Sequence, residues 1–122
     1  MAEITRQELI LALIGIHEEH RPRLSGVDLS GLDLSFLNLS SADLGGANLE
    51  GATCIGINLN DAFLGGTNLK GCNLQNAYMR NAQVRNADLR GADLTGARIT
   101  GAVFQGCDVE GATLPGSFQQ LA

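Results

Sequence analysis

The sequence predicts an all-β solenoid, and three observations support that prediction. An apolar residue recurs at every fifth position from Leu24 to Leu114, and a small residue, most often Ala, lies two positions before it. Asp or Asn usually lies between these two, and Gly is common two positions after the large apolar residue. A period of five fits neither an α-helix nor a flat strand. It fits a chain that runs briefly extended, turns a corner and repeats.

The two apolar positions of each unit predict the interior of the solenoid. Residues two apart in an extended segment point the same way, so the large and the small apolar residue both face inward. The Asp or Asn between them then faces outward and can bond nearby backbone N–H groups. Gly at the corner tolerates the positive φ that a tight turn requires. Four such sides would close a coil of twenty residues.

The repeated pattern A-[D/N]-L-x-x, as in SADLGGANLEGA and RNADLRGADLTGA, resembles the pentapeptide-repeat family. The resemblance covers most of the chain, and the helix followed directly by repeats is similar to short bacterial, notably cyanobacterial, members. It implies a right-handed quadrilateral β-helix, and the chain is long enough for about five coils; the residues before the repeats predict a short N-terminal capping α-helix. We expect the helix within residues 1–21 and the β-helix over residues 22–122.

Both ends of an open solenoid expose strand edges and core, so each end needs a cap. Thr5 and Glu8 have the spacing of a capping box, and apolar residues at helical spacing follow them. We expect this helix to seal the first coil; a helix that binds a partner or a membrane surface is the alternative. At the other end, Phe104, Leu114 and Phe118 are expected near an opening. Either a short terminal turn covers it or the chain forms a homodimer through its C-terminal end.

Composition limits the partners and the location. Thirteen acidic and eight basic residues give a net charge of -5, which argues against direct nucleic-acid binding. No apolar run is long enough for a membrane span, and the longest lacks the flanks of a signal peptide. We therefore expect a cytoplasmic protein without a membrane partner.

Few residues suggest catalysis or a cofactor. The three cysteines have no CxxC spacing, and their repeat positions identify them as small buried residues rather than metal ligands. Cys54 lies in the large apolar column, whereas Cys72 and Cys107 lie in the small one. The two histidines, His17 and His20, both lie at the end of the predicted helix and suit the surface. We expect no catalytic residues, no metal, no cofactor and no enzyme activity.

The outward positions contain the candidate site. Aromatic side chains replace the usual Asp or Asn at two outward positions, and arginines cluster in the third and fourth coils. Exposed aromatic and arginine side chains are typical anchors of protein interfaces. The predicted partner-binding surface consists of Phe63, Tyr78, Arg80, Arg85, Arg90 and Arg98. Chance surface residues are the alternative explanation. A vertical ladder of charge is also expected, formed by Glu50, Lys70, Arg90 and Glu110.

These observations favour a non-catalytic protein-interaction or scaffold module with an unidentified protein partner. The family resemblance implies an alternative, because some pentapeptide-repeat proteins imitate duplex DNA and bind DNA gyrase. Such members are typically longer and strongly acidic dimers, whereas this chain has a net charge of only -5 and an arginine cluster.

Overall fold

The computed structural model describes residues 4–14 and 21–118. A single α-helix, α1, runs from Arg6 to Ile14. The predicted capping box begins it: Glu8 N donates to Thr5 Oγ1 at 3.0 Å, and Thr5 N donates to Glu8 Oε1 at 3.0 Å. These two bonds satisfy N–H groups that have no partner within the first turn of a helix.

The remainder of the described chain coils with a repeat of twenty residues. Every fifth residue from Arg23 onward forms a parallel β-bridge with the residue twenty positions later, and the last bridge joins Asp93 to Thr113. No strand among the described residues is longer than one such bridge. Each coil therefore has four short sides, and the residues at the bridges form four faces.

Each face is named here after one of its members. The Phe63 face contains Arg23, Asp43, Phe63, Gln83 and Val103; the Asp88 face contains Asp28, Asn48, Asn68, Asp88 and Asp108; the Asp93 face contains Asp33, Thr53, Asn73, Asp93 and Thr113; and the Tyr78 face contains Asn38, Asn58, Tyr78 and Arg98. The chain visits them in that order and returns from the Tyr78 face to the Phe63 face. Tyr78 and Phe63 therefore lie on neighbouring faces.

Three backbone hydrogen bonds per side join successive coils. On the Phe63 face, Leu44 N donates to Phe63 O at 2.8 Å, Gly46 N donates to Gly65 O at 2.9 Å, and Phe63 N donates to Ala42 O at 2.8 Å. The same pattern recurs on the other faces. Sheet-type pairing between coils thus takes up backbone groups that would otherwise be buried without partners.

A tight turn separates neighbouring sides. The N–H of the small residue donates to the carbonyl of the preceding large residue, as Ala47 N does to Leu44 O at 3.0 Å. The residue before the small one has positive φ at every turn from Gly26 to Gly111, as a type II turn requires. Gly occupies most of these positions, as predicted. Six are not Gly, namely Phe36, Ser41, Asp61, Asn76, Asn81 and Asn86.

The outward Asp and Asn residues make the predicted bonds to the backbone. Asp43 Oδ1 accepts from Gly45 N at 3.0 Å. The same bond, from the backbone N–H two residues later, recurs at many outward positions. Where the outward residue is Thr53 or Tyr78, the acceptor comes from the preceding coil. Ser35 Oγ accepts from Ile55 N at 3.1 Å, and Asn60 Oδ1 accepts from Arg80 N at 2.9 Å.

The core occupies the axis of the coils. The large apolar positions from Leu29 to Phe104 are buried, including Leu64 and Cys54, and Ala fills most of the small positions. All three cysteines are buried, as predicted. Cys72 also donates its S–H to Leu49 O, with sulfur and oxygen 2.8 Å apart. Thr67 makes the equivalent bond to Leu44 O at 2.7 Å.

Helix α1 packs at the N-terminal end of the coils. Leu9 is fully buried within the core cluster, and Ile4 packs against that cluster. Arg6 donates through Nη1 to Asp33 O and through Nη2 to Ser35 O, the second bond at 3.1 Å. One coil later the equivalent carbonyls, Thr53 O and Ile55 O, accept from backbone N–H groups of the first coil. Arg6 thus supplies donors where a preceding coil would have supplied them.

The C-terminal end has a short terminal turn, the first of the two predicted alternatives. Phe118 N donates to Pro115 O at 3.0 Å, and the Phe118 ring lies 5.0 Å from the Phe104 ring at an angle of 58°. Phe104 is consequently almost fully buried. Val109 and Leu114 remain half-buried beside this turn.

Candidate protein-binding surface

Five of the six predicted surface residues lie on two neighbouring faces or in the turns beside them. Tyr78 and Arg98 lie on the Tyr78 face, and Phe63 lies on the Phe63 face. Arg80 is in the turn between these faces, whereas Arg85 is in the turn that leaves the Phe63 face. We call the first of these turns, residues 40–41, 60–61, 80–81 and 100–101, the Arg80 corner.

Tyr78 and Arg98 form a stacked pair on their face. A parallel bridge joins the two residues, and the Arg98 guanidinium carbon lies 4.6 Å from the centre of the Tyr78 ring. Tyr78 is half-buried and Arg98 is exposed. Stacking on an aromatic ring holds a guanidinium in place while its N–H donors at the edge stay available.

Phe63 presents an exposed aromatic ring on the next face, with 44% of the residue accessible. The ring lies flat across two corner glycines: a Cβ added at Gly45 or at Gly65 would come within 2.9 Å of a Phe63 ring carbon. Gln83 and Val103 follow Phe63 on the same face, and both are half-buried. The Phe63 face therefore has a continuous, weakly polar middle section.

Arg80 and Arg85 flank the Phe63 face from its two corners. Both are exposed, and Arg85 donates from Nη1 to Gln105 Oε1 at 2.8 Å. Within residues 4–14 and 21–118, neither of them pairs with a carboxylate, and the same is true of Arg98. Asp61 lies at the Arg80 corner one coil earlier without forming such a pair. Three guanidinium groups on this part of the surface thus have no counter-charge in contact.

Arg90 differs from the other arginines and lies apart from them. It is in the turn between the Asp88 and Asp93 faces, diagonally opposite the Arg80 corner. It donates to both carboxylate oxygens of Asp88, at 2.9 and 2.7 Å, and its Nε lies 3.8 Å from Asp108 Oδ2. The hydrogen bond and charge of Asp88 raise the pKa of Arg90 above its ordinary value, and Arg90 lowers that of Asp88.

Arg90 therefore does not join the other five predicted residues in one surface.

The predicted vertical ladder of charge forms as a column of residues, but Arg90 pairs outside it. Glu50, Lys70, Arg90 and Glu110 do stack in one column of turns, since Gly71 N bonds Arg90 O and Gly91 N bonds Glu110 O. Arg90 nevertheless pairs with Asp88 and Asp108 on the adjoining face, because those carboxylates lie within reach of its extended side chain.

The Asp88 and Asp93 faces bear most of the outward carboxylates. On the Asp93 face, hydrogen bonds from the Thr95 hydroxyl and the Gln75 amide lower the pKa of Asp93. The Ser35 backbone N–H lowers the pKa of Asp33 in the same way. These two faces are therefore acidic but already engaged in internal hydrogen bonds and ion pairs.

The described residues show no other candidate chemistry. No group of three or more His, Cys, Asp or Glu among them could hold a metal ion. The pKa of Cys54 is raised well above its ordinary value. The larger cause is a hydrogen bond with the Cys72 thiol, and the second is burial. His17 and His20 lie outside the described residues. No helix in the described ranges is both long enough and apolar enough to cross a bilayer.

One exposed aromatic residue escaped the sequence analysis. Phe36 is 77% exposed and has a φ of 65°, at a corner where Gly is usual. Its ring lies over Gly56, one coil later, where an added Cβ would come within 2.6 Å of Phe36 Cε1. The missing Gly at a corner position was the available sequence signal. Phe36 lies between the Asp93 and Tyr78 faces, away from the Arg80 corner.

Comparisons with known proteins agree with this architecture. The family described as pentapeptide repeats matches residues 23–53, 47–83 and 77–116, in eight copies. A pentapeptide repeat protein, Rfr23, from the cyanobacterium Cyanothece 51142 is 34% identical with a TM-score of 0.76, over 79% of this chain and 67% of that one. No curated protein gives a significant match.

More distant structures share the fold. A pentapeptide repeat protein from the Arabidopsis thaliana thylakoid lumen is 27% identical with a TM-score of 0.59, over 82% of this chain and 70% of that one. QnrB1, a plasmid-mediated fluoroquinolone resistance protein, is 21% identical with a TM-score of 0.54, over 74% of this chain and 59% of that one. The repeat, the twenty-residue coil and these similarities together establish that the chain belongs to the pentapeptide-repeat family.

Proposed function

We propose that this protein is a non-catalytic interaction module that binds a protein partner through the Tyr78 face, the Phe63 face and the Arg80 corner between them. One observation carries the proposal: exposed aromatic and arginine groups without acidic partners among the described residues collect on two neighbouring faces. The other two faces engage their charged groups internally.

The chemistry of these residues suits an interface. Tyr and Arg are enriched at binding hot spots, and Phe is enriched with them at protein interfaces. The Tyr78 ring is already fixed under Arg98, at 4.6 Å, so little further ordering is needed on binding. The coils supply a rigid support, since each side is bonded to the coils before and after it.

The repeat itself provides variants that test the proposal without disturbing the fold. Asn is common at outward positions, where its side chain accepts the turn N–H, as Asn58 does from Asn60 N. Phe63→Asn combined with Tyr78→Asn should therefore fold and remove both aromatic anchors. Thr53→Asn, on the Asp93 face, is the matched control.

Tagged wild-type and variant proteins would be used to enrich partners from the native host, quantified by mass spectrometry. We expect a protein enriched by the wild type and by Thr53→Asn but lost with the double variant. A partner that all three retain equally would place the interface elsewhere and contradict the proposal.

A second candidate function is a DNA-mimicking binder of DNA gyrase. It is favoured by the Asp88 face, where Asp88 and Asp108 stack in one column. Each of the two carboxylates accepts the backbone N–H two residues later. The ion pairs of Arg90 with both carboxylates reduce the negative charge that such mimicry needs. A gyrase supercoiling assay separates the candidates. Inhibition that is lost when Asp88, Asp108 and Glu110 are reversed to Lys would support mimicry, and no inhibition would favour the interaction module.

Three finer features stay proposals. We propose a right-handed sense for the coil, in line with the usual hand of crossover connections between parallel strands. A homodimer through the C-terminal end is supported by the half-buried Val109 and Leu114 beside the terminal turn. The cytoplasmic location rests on the sequence alone.

A further inference from the structure

We infer that the partner segment bound across the Tyr78 and Phe63 faces is acidic: an extended stretch of polypeptide whose carboxylates pair with Arg80, Arg98 and Arg85. This inference rests on the proposed function and specifies the chemistry of the partner. It follows from where the unpaired guanidinium groups lie, rather than from the net charge of the chain, which is -5.

The position of the three arginines is the first argument. Arg98 lies beside Tyr78 through a parallel bridge and stacks on its ring, and Arg80 follows Tyr78 by two residues, in the turn that ends the same side. Arg85 extends the set along the Phe63 face, two residues after Gln83, the bridge partner of Phe63. Arg80 and Arg85 lie at the two ends of one side of a coil, and Arg98 lies one coil after Tyr78, about 4.8 Å further along the axis, so a few extended residues could span the three groups.

Charge complementarity is the second argument. All three side chains are exposed, and none contacts a carboxylate within the described ranges. Among the described residues, Arg85 donates to the neutral amide oxygens of Gln105 and Gln83. Arg98 keeps its edge donors available beside the ring. A carboxylate placed there would gain charge-assisted, bidentate hydrogen bonds without first breaking an ion pair.

The surrounding acidic groups favour a peptide over a nucleic acid. Asp43 and Asp61 lie one to two coils before the patch, and the Asp88 face adjoins the Arg85 turn. A duplex is a wide polyanion that would have to pass close to these carboxylates. A single extended segment is narrower, and at the Arg80 corner it meets the carboxylate of Asp61 but not those of Asp43 and the Asp88 face.

The test uses a fluorescein-labelled peptide of alternating Glu and Gly, with the Gln and Gly peptide as a neutral control. Binding to the full chain would be followed by NMR titration and anisotropy at low salt. We expect the Glu peptide to shift the resonances of Tyr78, Arg80 and Arg98, and to weaken as salt rises. Arg80→Gln with Arg98→Gln should lower affinity by about fivefold or more, the effect of two exposed charge pairs.

Arg90→Gln is the matched control, because Arg90 is already paired with Asp88. An equal loss with Arg90→Gln, binding of the neutral peptide to the same degree, or tighter binding of a DNA duplex would overturn the inference. So would absence of Glu-peptide binding. Failure of the proposed function is distinguishable, since it would appear as no partner dependent on Phe63 and Tyr78 in the enrichment experiment.

Discussion

The guanidinium of Arg6 donates to the backbone carbonyl of Ser35 at 3.1 Å. This bond joins the helix that precedes the coils to the edge of the first coil. The other terminal nitrogen of Arg6 donates to the carbonyl of Asp33. In the next three coils the equivalent carbonyls accept from the backbone of the coil before, as Ile55 O accepts from Phe36 N at 3.0 Å. The planar fork of one side chain therefore takes the place of two backbone donors at an open sheet edge.

Removal of this cap should destabilise the first coil. We expect Arg6→Gln to lower the free energy of unfolding by about 1 kcal/mol, since Arg6 is partly exposed and loses two hydrogen bonds. Urea unfolding measured by circular dichroism would test this. Gln7→Ala, at an exposed helical position, is the control and should have little effect. A loss no larger than that of the control would mean that the cap does not stabilise the edge.

The protein should be less stable with Phe at position 36 than with Gly there. The φ of 65° at Phe36 is costly for a bulky residue, and the Phe36 ring is mostly exposed. We expect Phe36→Gly to exceed Phe36→Ala in stability by about 1 kcal/mol, because Ala retains the backbone strain and Gly does not. Chemical denaturation of both variants provides the comparison.

Gln105 is the control position for this experiment, since it is the first residue of a turn and does not have positive φ. There the order should reverse, with Gln105→Ala at least as stable as Gln105→Gly. The same order at both positions would show that the left-handed conformation at residue 36 is not a source of strain.

Cys54 and Cys72 should compensate each other in volume. Cys54 is smaller than the Leu usual in its column, Cys72 is larger than the usual Ala, and the two buried thiols interact. We expect Cys54→Leu alone to cost about 1–3 kcal/mol by overpacking. Cys72→Ala alone leaves a gap and removes the S–H bond to Leu49 O.

The double variant should therefore lose less free energy of unfolding than the two single variants lose in sum. We expect a difference of at least about 0.5 kcal/mol in a double-mutant cycle. Unfolding of all four proteins in urea under reducing conditions gives the four free energies. Strict additivity would mean that the two side chains are not coupled through the core.

Acid should destabilise the fold through its outward aspartates. Hydrogen bonds from Thr95 and Gln75 hold the pKa of Asp93 below its ordinary 3.8, so the unfolded chain takes up the proton first as pH falls. The resulting stabilisation is complete above the unfolded pKa and is lost as pH falls through the folded pKa. We therefore expect the free energy of unfolding to decline below about pH 4.

Asp93→Asn should make this decline shallower, because Asn can accept the same turn N–H, as Asn73 does from Gln75 N. Urea unfolding from pH 7 to pH 2 would measure it. Asp61→Asn removes one carboxylate at a corner position instead of an outward one and is the control for the change in charge. A steeper decline in Asp93→Asn than in the wild type would reverse the expected sign.

The period of five was sufficient to predict what faces inward and what faces outward. Leu64 and Asp93 follow the prediction because inward and outward orientation depends only on position within the unit. The capping box at Thr5 was also predictable, since both partners lie within one turn.

Contacts between coils were harder to predict. The pairing of Arg90 with Asp88 rather than with its ladder neighbours depends on side-chain rotamers, which the repeat does not define. The bond of Arg6 to the Ser35 carbonyl joins residues in two different elements. The acceptor that Asn60 supplies to Arg80 N was missed because it crosses from one coil to the next. For the candidate surface, the residue types were predictable, and so was the separation of Arg90, which lies half a twenty-residue coil after Arg80.

The most direct test of the account is site-specific photo-crosslinking in the native host. A photoreactive residue would replace Thr100, at the Arg80 corner, or Glu110, in the turn diagonally opposite; both positions are exposed turn residues. We predict a crosslink to one partner protein from position 100 and none to that protein from position 110. A partner captured from position 110 alone, or equally from both, would contradict a binding surface formed by the Tyr78 and Phe63 faces.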